Sequence, residues 1–176
     1  ESESRGLGDV YKRQGIILVM SICSYNLTIH YIPNIVYAVF HYKIEKNQNI
    51  KDNEIKHFDI PSDQSRNVVM PNPDFLYSTI FYDLSEKDLN INAIMPDSTY
   101  WSVSFYKPNT INWYVKNDQE FDTNKLDLTL TLNDSKSEDF IISPVKKGFM
   151  IIRILVEKKD QKTIESYISC LLYTSP

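Results

Sequence analysis

Residues 66–85, RNVVMPNPDFLYSTIFYDLS, place a turn-forming Pro-Asn-Pro-Asp directly before a long run of aromatic and β-branched residues. After this turn the two faces of the chain alternate, Phe75, Tyr77, Thr79 and Phe81 on one and Leu76, Ser78, Ile80 and Tyr82 on the other. A period of two is typical of a β-strand, and large side chains on both faces indicate that both faces are covered. The stretch therefore predicts a strand at residues 75–84 in a sheet packed on both sides.

Short segments with strand character continue along the chain and are separated by clusters of Asn, Asp, Ser and Pro. They are residues 89–95, 100–106, 112–115, 126–132, 140–142 and 149–156. Several short strands in succession predict a mainly β domain, α+β overall, built as an antiparallel sandwich or a jelly-roll-like fold. Apolar residues at helical spacing predict a short closing helix at residues 160–169.

The N-terminal part of the chain is apolar. Residues 15–40, GIILVMSICSYNLTIHYIPNIVYAVF, contain no Lys, Arg, Asp or Glu, and residues 15–32 approach the roughly 20 residues that cross a bilayer. A transmembrane anchor or uncleaved signal segment is the first interpretation, and a cleaved signal peptide or a buried core helix are the alternatives. Pro33 suits the first turn of a new helix at residues 33–44, followed by a polar linker up to residue 65.

Both ends of the chain differ from the rest. Residues 1–14 (ESESRGLGDVYKRQ) and 170–176 (CLLYTSP) resemble peptides translated from adapter sequence at the edges of assembled reads. Segments of that kind are set aside in fold reasoning, and natural polar tails are the alternative. The remaining body has the length of one domain, with the β-rich part at residues 66–169.

Composition and spacing argue against several classes of function. A net charge of −4 and a pI near 5.4 give no basic field for nucleic acid. The glycines do not form a phosphate-binding loop or a dinucleotide fingerprint, so no cofactor is expected. The two cysteines imply no disulfide or metal spacing, and the histidines lack the spacing of a zinc site; these residues are Cys23, Cys170, His30, His41 and His57.

The candidate ligand-binding residues are polar or aromatic side chains before and within the predicted strands, where such groups can converge in a pocket. They are Asn72, Asp74, Tyr77, Asp83, Tyr100 and Arg153. Asn72 and Asp74 can equally cap a turn, and Tyr77 can be a core residue with its hydroxyl satisfied. Arg153, in an apolar strand, is expected to pair with Asp74 or Asp83. No catalytic residue and no metal ligand is predicted.

These residues together carry a resemblance to a known family, the domain of unknown function 1254. The matching positions are Val68-Val69, residues 71–78, Asp83-Leu84-Ser85, Pro96-Asp97, Tyr100-Trp101 and the stretch from Gly148 through Arg153 to Asp160. The chain departs from the family pattern at Phe75, where Thr is common, and at Thr99, where Arg is common. The resemblance implies a β-rich domain of envelope or secreted proteins, facing the periplasm or the cell exterior. It also implies a partner, the domain of unknown function 1214.

Two functions from different classes follow as hypotheses. The first is a membrane-anchored envelope protein whose β-rich domain binds a small ligand or another protein, with a candidate surface at Tyr100, Ser102, Tyr106 and Trp113. The second is half of a two-component enzyme, with a hydrolase among the options, whose site needs a second domain. A pocket that joins Asp74, Tyr77 and Arg153 would favour the enzyme, and their separation would favour the binding module. A truncated fragment without independent activity is the third alternative.

Overall fold

The computed structural model describes residues 2–48, 51–61, 71–133, 140–157 and 159–171. The helices are α1 (Ser2–Gln48), α2 (Gln161–Leu171) and a single 3-10 turn at Asp118–Glu120. The strands are β1 (Ile55–His57), β2 (Phe75–Asp83), β3 (Leu89–Ile94), β4 (Trp101–Tyr106), β5 (Asn112–Asn117), β6 (Lys125–Thr131), β7 (Phe140–Ile142) and β8 (Lys147–Leu155).

The strands form two sheets that enclose one core. The larger sheet has the order β1-β2-β8-β4-β5 and the smaller one the order β3-β6-β7. All neighbouring strands run antiparallel except β6 and β7, which are parallel. Side chains from both sheets meet in the core, among them Leu76, Ile152 and Val103 from the larger sheet and Ile91 and Leu130 from the smaller. The predicted mainly β, sandwich-like fold is confirmed.

Burial along the strands follows the side-chain period of two. In β3, Leu89, Ile91 and Ala93 are buried, while the residues between them are exposed. This is the pattern of a sheet with one face on the core and one face in water. β2 is instead buried on both faces over most of its length, because α1 covers part of its outer face. The strand prediction at residues 75–84 is therefore confirmed, including its second covered face.

The structure adds one strand that the sequence did not predict. β1 lies inside the predicted polar linker and pairs with β2 through Ile55 opposite Ile80 and His57 opposite Ser78. Three residues are too few for a recognisable alternation, so this strand depends on pairing with distant sequence rather than on its own pattern. Val68 and Val69, which belong to the family resemblance, lie outside the described residues, as do residues 62–67.

The separate helix expected to begin at Pro33 is not found. α1 runs without a break from Ser2 to Gln48, and Pro33 lies inside it. Proline in a helix leaves the carbonyl four residues earlier without its N–H partner, and here that residue, Ile29, is exposed. Elsewhere in the helix, polar side chains bond carbonyls one turn back. Asn34 Nδ2 donates to the His30 carbonyl (3.1 Å) and Asn26 Nδ2 to the Ile22 carbonyl (2.8 Å). Side-chain bonds of this kind are tolerated in apolar helices.

The C-terminal part of α1 packs on the outer face of the larger sheet. Ile44 is buried there with Phe81 of β2 and Phe149 of β8, and Tyr37 and Phe40 pack at the edge of this cluster. The ring centroids of Phe40 and Phe81 are 5.6 Å apart, and those of Tyr37 and Phe149 are 5.8 Å apart. Both separations lie within the range of favourable aromatic pairs.

The N-terminal part of α1 projects away from the sheets. Between residues 8 and 46 it is long and apolar enough to cross a membrane, and none of its most apolar window is buried. The buried core helix, one of the alternatives for this segment, is therefore excluded for the structure as described. A membrane anchor and a signal sequence both have the observed composition and length.

Gly148 gives a direct test of the packing between β2, β8 and β4. A Cβ atom at this position would collide with the Tyr106 carbonyl and the Tyr82 hydroxyl. We expect Gly148→Ala to lower the free energy of unfolding by about 1–3 kcal/mol, as overpacked core substitutions do, measured by urea denaturation. Gly15→Ala is the control, since no atom lies within 4 Å of its added Cβ. Equal stability of wild type and Gly148→Ala would show that these three strands do not pack as described.

Candidate functional site

A groove of about 590 Å³ lies between α1 and the outer face of the larger sheet. α1 contributes Val36, Tyr37 and Phe40 to its wall. The sheet and its edge supply the rest, namely Lys56, His57, Phe58, Asp59, Ile60, Pro61, Pro71, Tyr77, Ser78, Thr79, Tyr106, Thr110, Phe149 and Ile151. We refer to this site as the helix–sheet groove.

Strand register explains why residues distant in sequence meet in the helix–sheet groove. Thr79 of β2 lies opposite Ile151 of β8, and Phe81 lies opposite Phe149. Alternate residues of paired strands share one face of a sheet, so these side chains all point away from the core and toward α1. Tyr106 of β4 joins them, with its ring stacked on that of Phe149 at 4.8 Å. The floor of the groove is therefore mostly apolar.

A histidine and a serine meet at the edge of the groove. His57 Nδ1 and Ser78 Oγ lie 2.8 Å apart, while His57 Nε2 is buried without a hydrogen-bond partner among the described residues. Burial lowers the pKa of His57, and the nearby charge of Lys56 lowers it further, so the neutral imidazole is favoured at pH 7. No pattern in the sequence indicates this pair, because 21 residues separate its members.

Asn72 and Asp74 form a turn at the surface rather than a site. The backbone N–H of Asp74 donates to Asn72 Oδ1 (3.0 Å), and the backbone N–H of Asn72 donates to the Tyr77 hydroxyl (3.1 Å). The Asp74 carboxylate is 58% exposed and accepts from Lys159 Nζ at 2.9 Å. The turn-capping interpretation of these residues thus describes their contacts, while Tyr77 also lines the groove.

Arg153 does not form the expected ion pair with Asp74 or Asp83. Its Nε donates to Ser102 Oγ at 3.2 Å, while lysines occupy the two carboxylates. The reason is strand register. Arg153 lies opposite both Tyr77 and Ser102 in the middle of the sheet, whereas Asp83 ends β2 about 20 Å further along the strand.

Asp83 belongs to a charged cluster at the opposite end of β2. Its carboxylate accepts from Lys147 Nζ at 2.7 Å, and Lys147 also lies 3.8 Å from Asp52. Asp52 in turn bonds His41 of α1 at 2.9 Å. The Lys147 hydrogen bond lowers the pKa of Asp83 to about 2, and the same bond raises the pKa of Lys147. The cluster links α1 to the sheet at the end where the helix terminates.

The remaining candidates are also dispersed. Tyr100 is 38% exposed and packs edge to face on Phe75 at 6.3 Å. Ser102 is fully buried, and Trp113 packs against Phe105 on the core side, so the candidate surface on β4 and β5 is divided between two faces. Of the six candidate residues, Tyr77 is the one that lines the groove. Tyr77 lines the helix–sheet groove, whereas Asp74 and Arg153 do not.

Comparison with known proteins identifies the family to which the sequence belongs. The profile described as "Protein of unknown function (DUF1254)" matches residues 53–171. The chain belongs to the DUF1254 family. No curated protein matches this DUF1254 chain in sequence.

Two solved structures resemble the DUF1254 chain. The VPA0106 protein of Vibrio parahaemolyticus is 15% identical with a TM-score of 0.57, covering 79% of this chain and 34% of that protein. An uncharacterised protein of Burkholderia cenocepacia is 12% identical with a TM-score of 0.49, covering 72% of this chain and 36% of that protein. The likeness to the Vibrio protein supports the fold alone, and this chain spans about a third of either protein's length.

The Asp83–Lys147 pair predicts a specific dependence of stability on pH. The pKa of Asp83 falls from 3.8 to about 2 in the folded protein, so its contribution is present above pH 4 and is lost as the pH falls toward 2. We expect Asp83→Asn to destabilise the protein above pH 4, by at most about 1 kcal/mol because the pair is partly exposed. Urea denaturation between pH 2 and 7 measures this difference.

The control is Asp127→Asn, an exposed carboxylate on the smaller sheet. We expect it to change stability little at any of these pH values. A difference between wild type and Asp83→Asn that is the same at pH 2 and pH 6 would contradict the Lys147 pairing.

Proposed function

We propose that this DUF1254 protein is a membrane-anchored module that binds a small ligand in the helix–sheet groove. The observation that carries the proposal is the groove itself, whose volume of about 590 Å³ falls within the roughly 300–1,000 Å³ of ligand pockets. Its lining has the usual character of such pockets, with an apolar floor and a few polar groups at one end.

The apolar groups lie where α1 meets the sheet, and the polar groups lie along β1 and β2. Phe149, Tyr106 and Ile151 form the floor, while Lys56 and the Tyr77 hydroxyl supply donors. The Thr79 hydroxyl does not donate a hydrogen bond to a ligand, because it already donates to the Met150 carbonyl at 2.7 Å. A ligand with separate apolar and polar parts matches this division.

Anchoring through α1 is supported by the exposure of its apolar side chains. Ile17, Leu18 and Met20 are 63–66% exposed, and a surface of this kind is unfavourable in water. The side chains of Ser21 and Asn26 donate hydrogen bonds to carbonyls of the helix itself. These bonds lower the free-energy cost of placing the two polar side chains in a bilayer. The module would face the periplasm or the cell exterior. Its partner would be a protein of the DUF1214 family.

The enzyme hypothesis has less support. Asp74 lies at the surface in a turn and an ion pair, outside the groove that Tyr77 lines. Arg153 lies opposite Tyr77, but neither Arg153 nor Asp74 lines the groove, so the groove does not join the three residues whose convergence would indicate catalysis.

Filling the groove tests the proposal. Ile151 lines the groove, and Val115 lies on the same face two strands away, with Ser104 of β4 paired to both. We expect small molecules that raise the melting temperature of the wild type in lipid nanodiscs to bind Ile151→Trp at least tenfold more weakly, about 1.4 kcal/mol, because the indole occupies the groove.

Val115→Trp is the matched control, since Val115 is 49% exposed and does not line the groove. It should bind the same compounds as the wild type. If Ile151→Trp binds them as tightly as Val115→Trp does, the helix–sheet groove is not the binding site.

A further inference from the structure

We propose that the helix–sheet groove takes a single-chain anionic amphiphile, of the fatty-acid type, which enters from the membrane that holds α1. This inference rests on the proposed function and names the chemical class and the source of the ligand. Three features of the structure carry it, namely the position of the groove along α1, the continuity of apolar surface and the placement of charge.

The groove begins one helical turn after the segment of α1 that is expected to cross the bilayer. Val36 lines it and follows Ile32, the last residue of that segment, by four positions, or about 6 Å along a helix axis. The headgroup region on each side of a bilayer is about 5–7 Å thick. A helix that crosses the bilayer with residues 15–32 therefore places the entrance of the groove in the headgroup region.

Apolar surface continues without interruption from the projecting helix into the groove. Tyr31, Ile32 and Ile35 are 50–57% exposed, and Val36 and Phe40 follow them on the groove wall. An acyl chain that moves along this path exchanges lipid contacts for protein contacts and exposes little apolar area to water, which is the unfavourable step in transferring a lipid. A ligand arriving from solution gains nothing from such a path.

The positive charge of Lys56, which lines the groove, favours an anionic head. Lys56 of β1 lies opposite Thr79, on the face of the sheet that looks toward α1. Arg153 lies on the same face of the sheet, opposite Tyr77, but outside the lining of the groove. Asp59 is the acid that lines the groove in the described structure, and it is exposed at the rim. A lysine ammonium binds a carboxylate well, because charge-assisted hydrogen bonds are the stronger kind.

Oleate and oleyl alcohol test the proposal, since they share a chain and differ in the charge of the head. The full chain is reconstituted in phosphatidylcholine nanodiscs that contain either compound, and native mass spectrometry counts the molecules retained by the protein. We expect the wild type to retain one oleate and at least tenfold less oleyl alcohol. Lys56→Gln should reduce oleate retention at least tenfold and leave the retention of oleyl alcohol unchanged.

Matched variants identify the site. Ile151→Trp should retain neither compound, while Val115→Trp and Lys125→Gln, both at exposed positions outside the groove, should behave as the wild type. Lys56→Gln lies at a partly exposed edge strand and is expected to fold, so the result does not depend on a large substitution alone. Retention of oleate that is unaffected by both Ile151→Trp and Lys56→Gln would overturn the assignment.

The remaining outcomes separate this inference from the proposed function. If oleyl alcohol is retained as well as oleate, the anionic head is wrong. If octanoate supplied in buffer binds as tightly as oleate in nanodiscs, the membrane route is wrong. If neither amphiphile is retained while other small molecules stabilise the wild type and not Ile151→Trp, the amphiphile is wrong and the small-ligand groove stands.

Discussion

Aromatic packing between α1 and the outer face of the larger sheet is the contact on which the groove depends. Tyr37 and Phe40 lie on Phe81 and Phe149, with ring centroids 5.6–5.9 Å apart, and Ile44 is buried beside them. Each such aromatic pair contributes about 0.5–1.5 kcal/mol beyond the area it buries. If α1 left the sheet, the groove would lose one wall and the sheet would expose an aromatic patch to water.

The charged cluster at the end of β2 supports this packing in a different way. Asp83, Lys147, Asp52 and His41 connect the strand to the helix through successive contacts of 2.7–3.8 Å. Partly exposed ion pairs add little energy, so the cluster contributes mainly to the position of the helix on the sheet. Together the two contacts fix the direction in which the apolar part of α1 leaves the domain, and hence the relation between the groove and a membrane.

The sequence predicted the sheet better than the site, for a physical reason. Strand alternation is local, so Leu89 and Ile91 could be assigned to a buried face from their own neighbourhood. The groove is formed by register across long stretches of chain, as where Thr79 lies opposite Ile151, and no spacing in the sequence encodes that register. At Pro33 a local pattern led to a wrong prediction. Proline is common in the first turn of a helix, so a new helix was expected to begin there, but α1 continues through Pro33 without a break.

The most direct test of the central contact is a double-mutant cycle between Tyr37 and Phe149, whose ring centroids lie 5.8 Å apart. The free energy of unfolding is measured by urea denaturation in detergent for the wild type, Tyr37→Ala, Phe149→Ala and the double variant. The packed helix predicts a coupling free energy of about 1 kcal/mol between the two substitutions. Additive effects of the two substitutions would contradict the account, because they would mean that α1 does not rest on the sheet and that the groove has no helical wall.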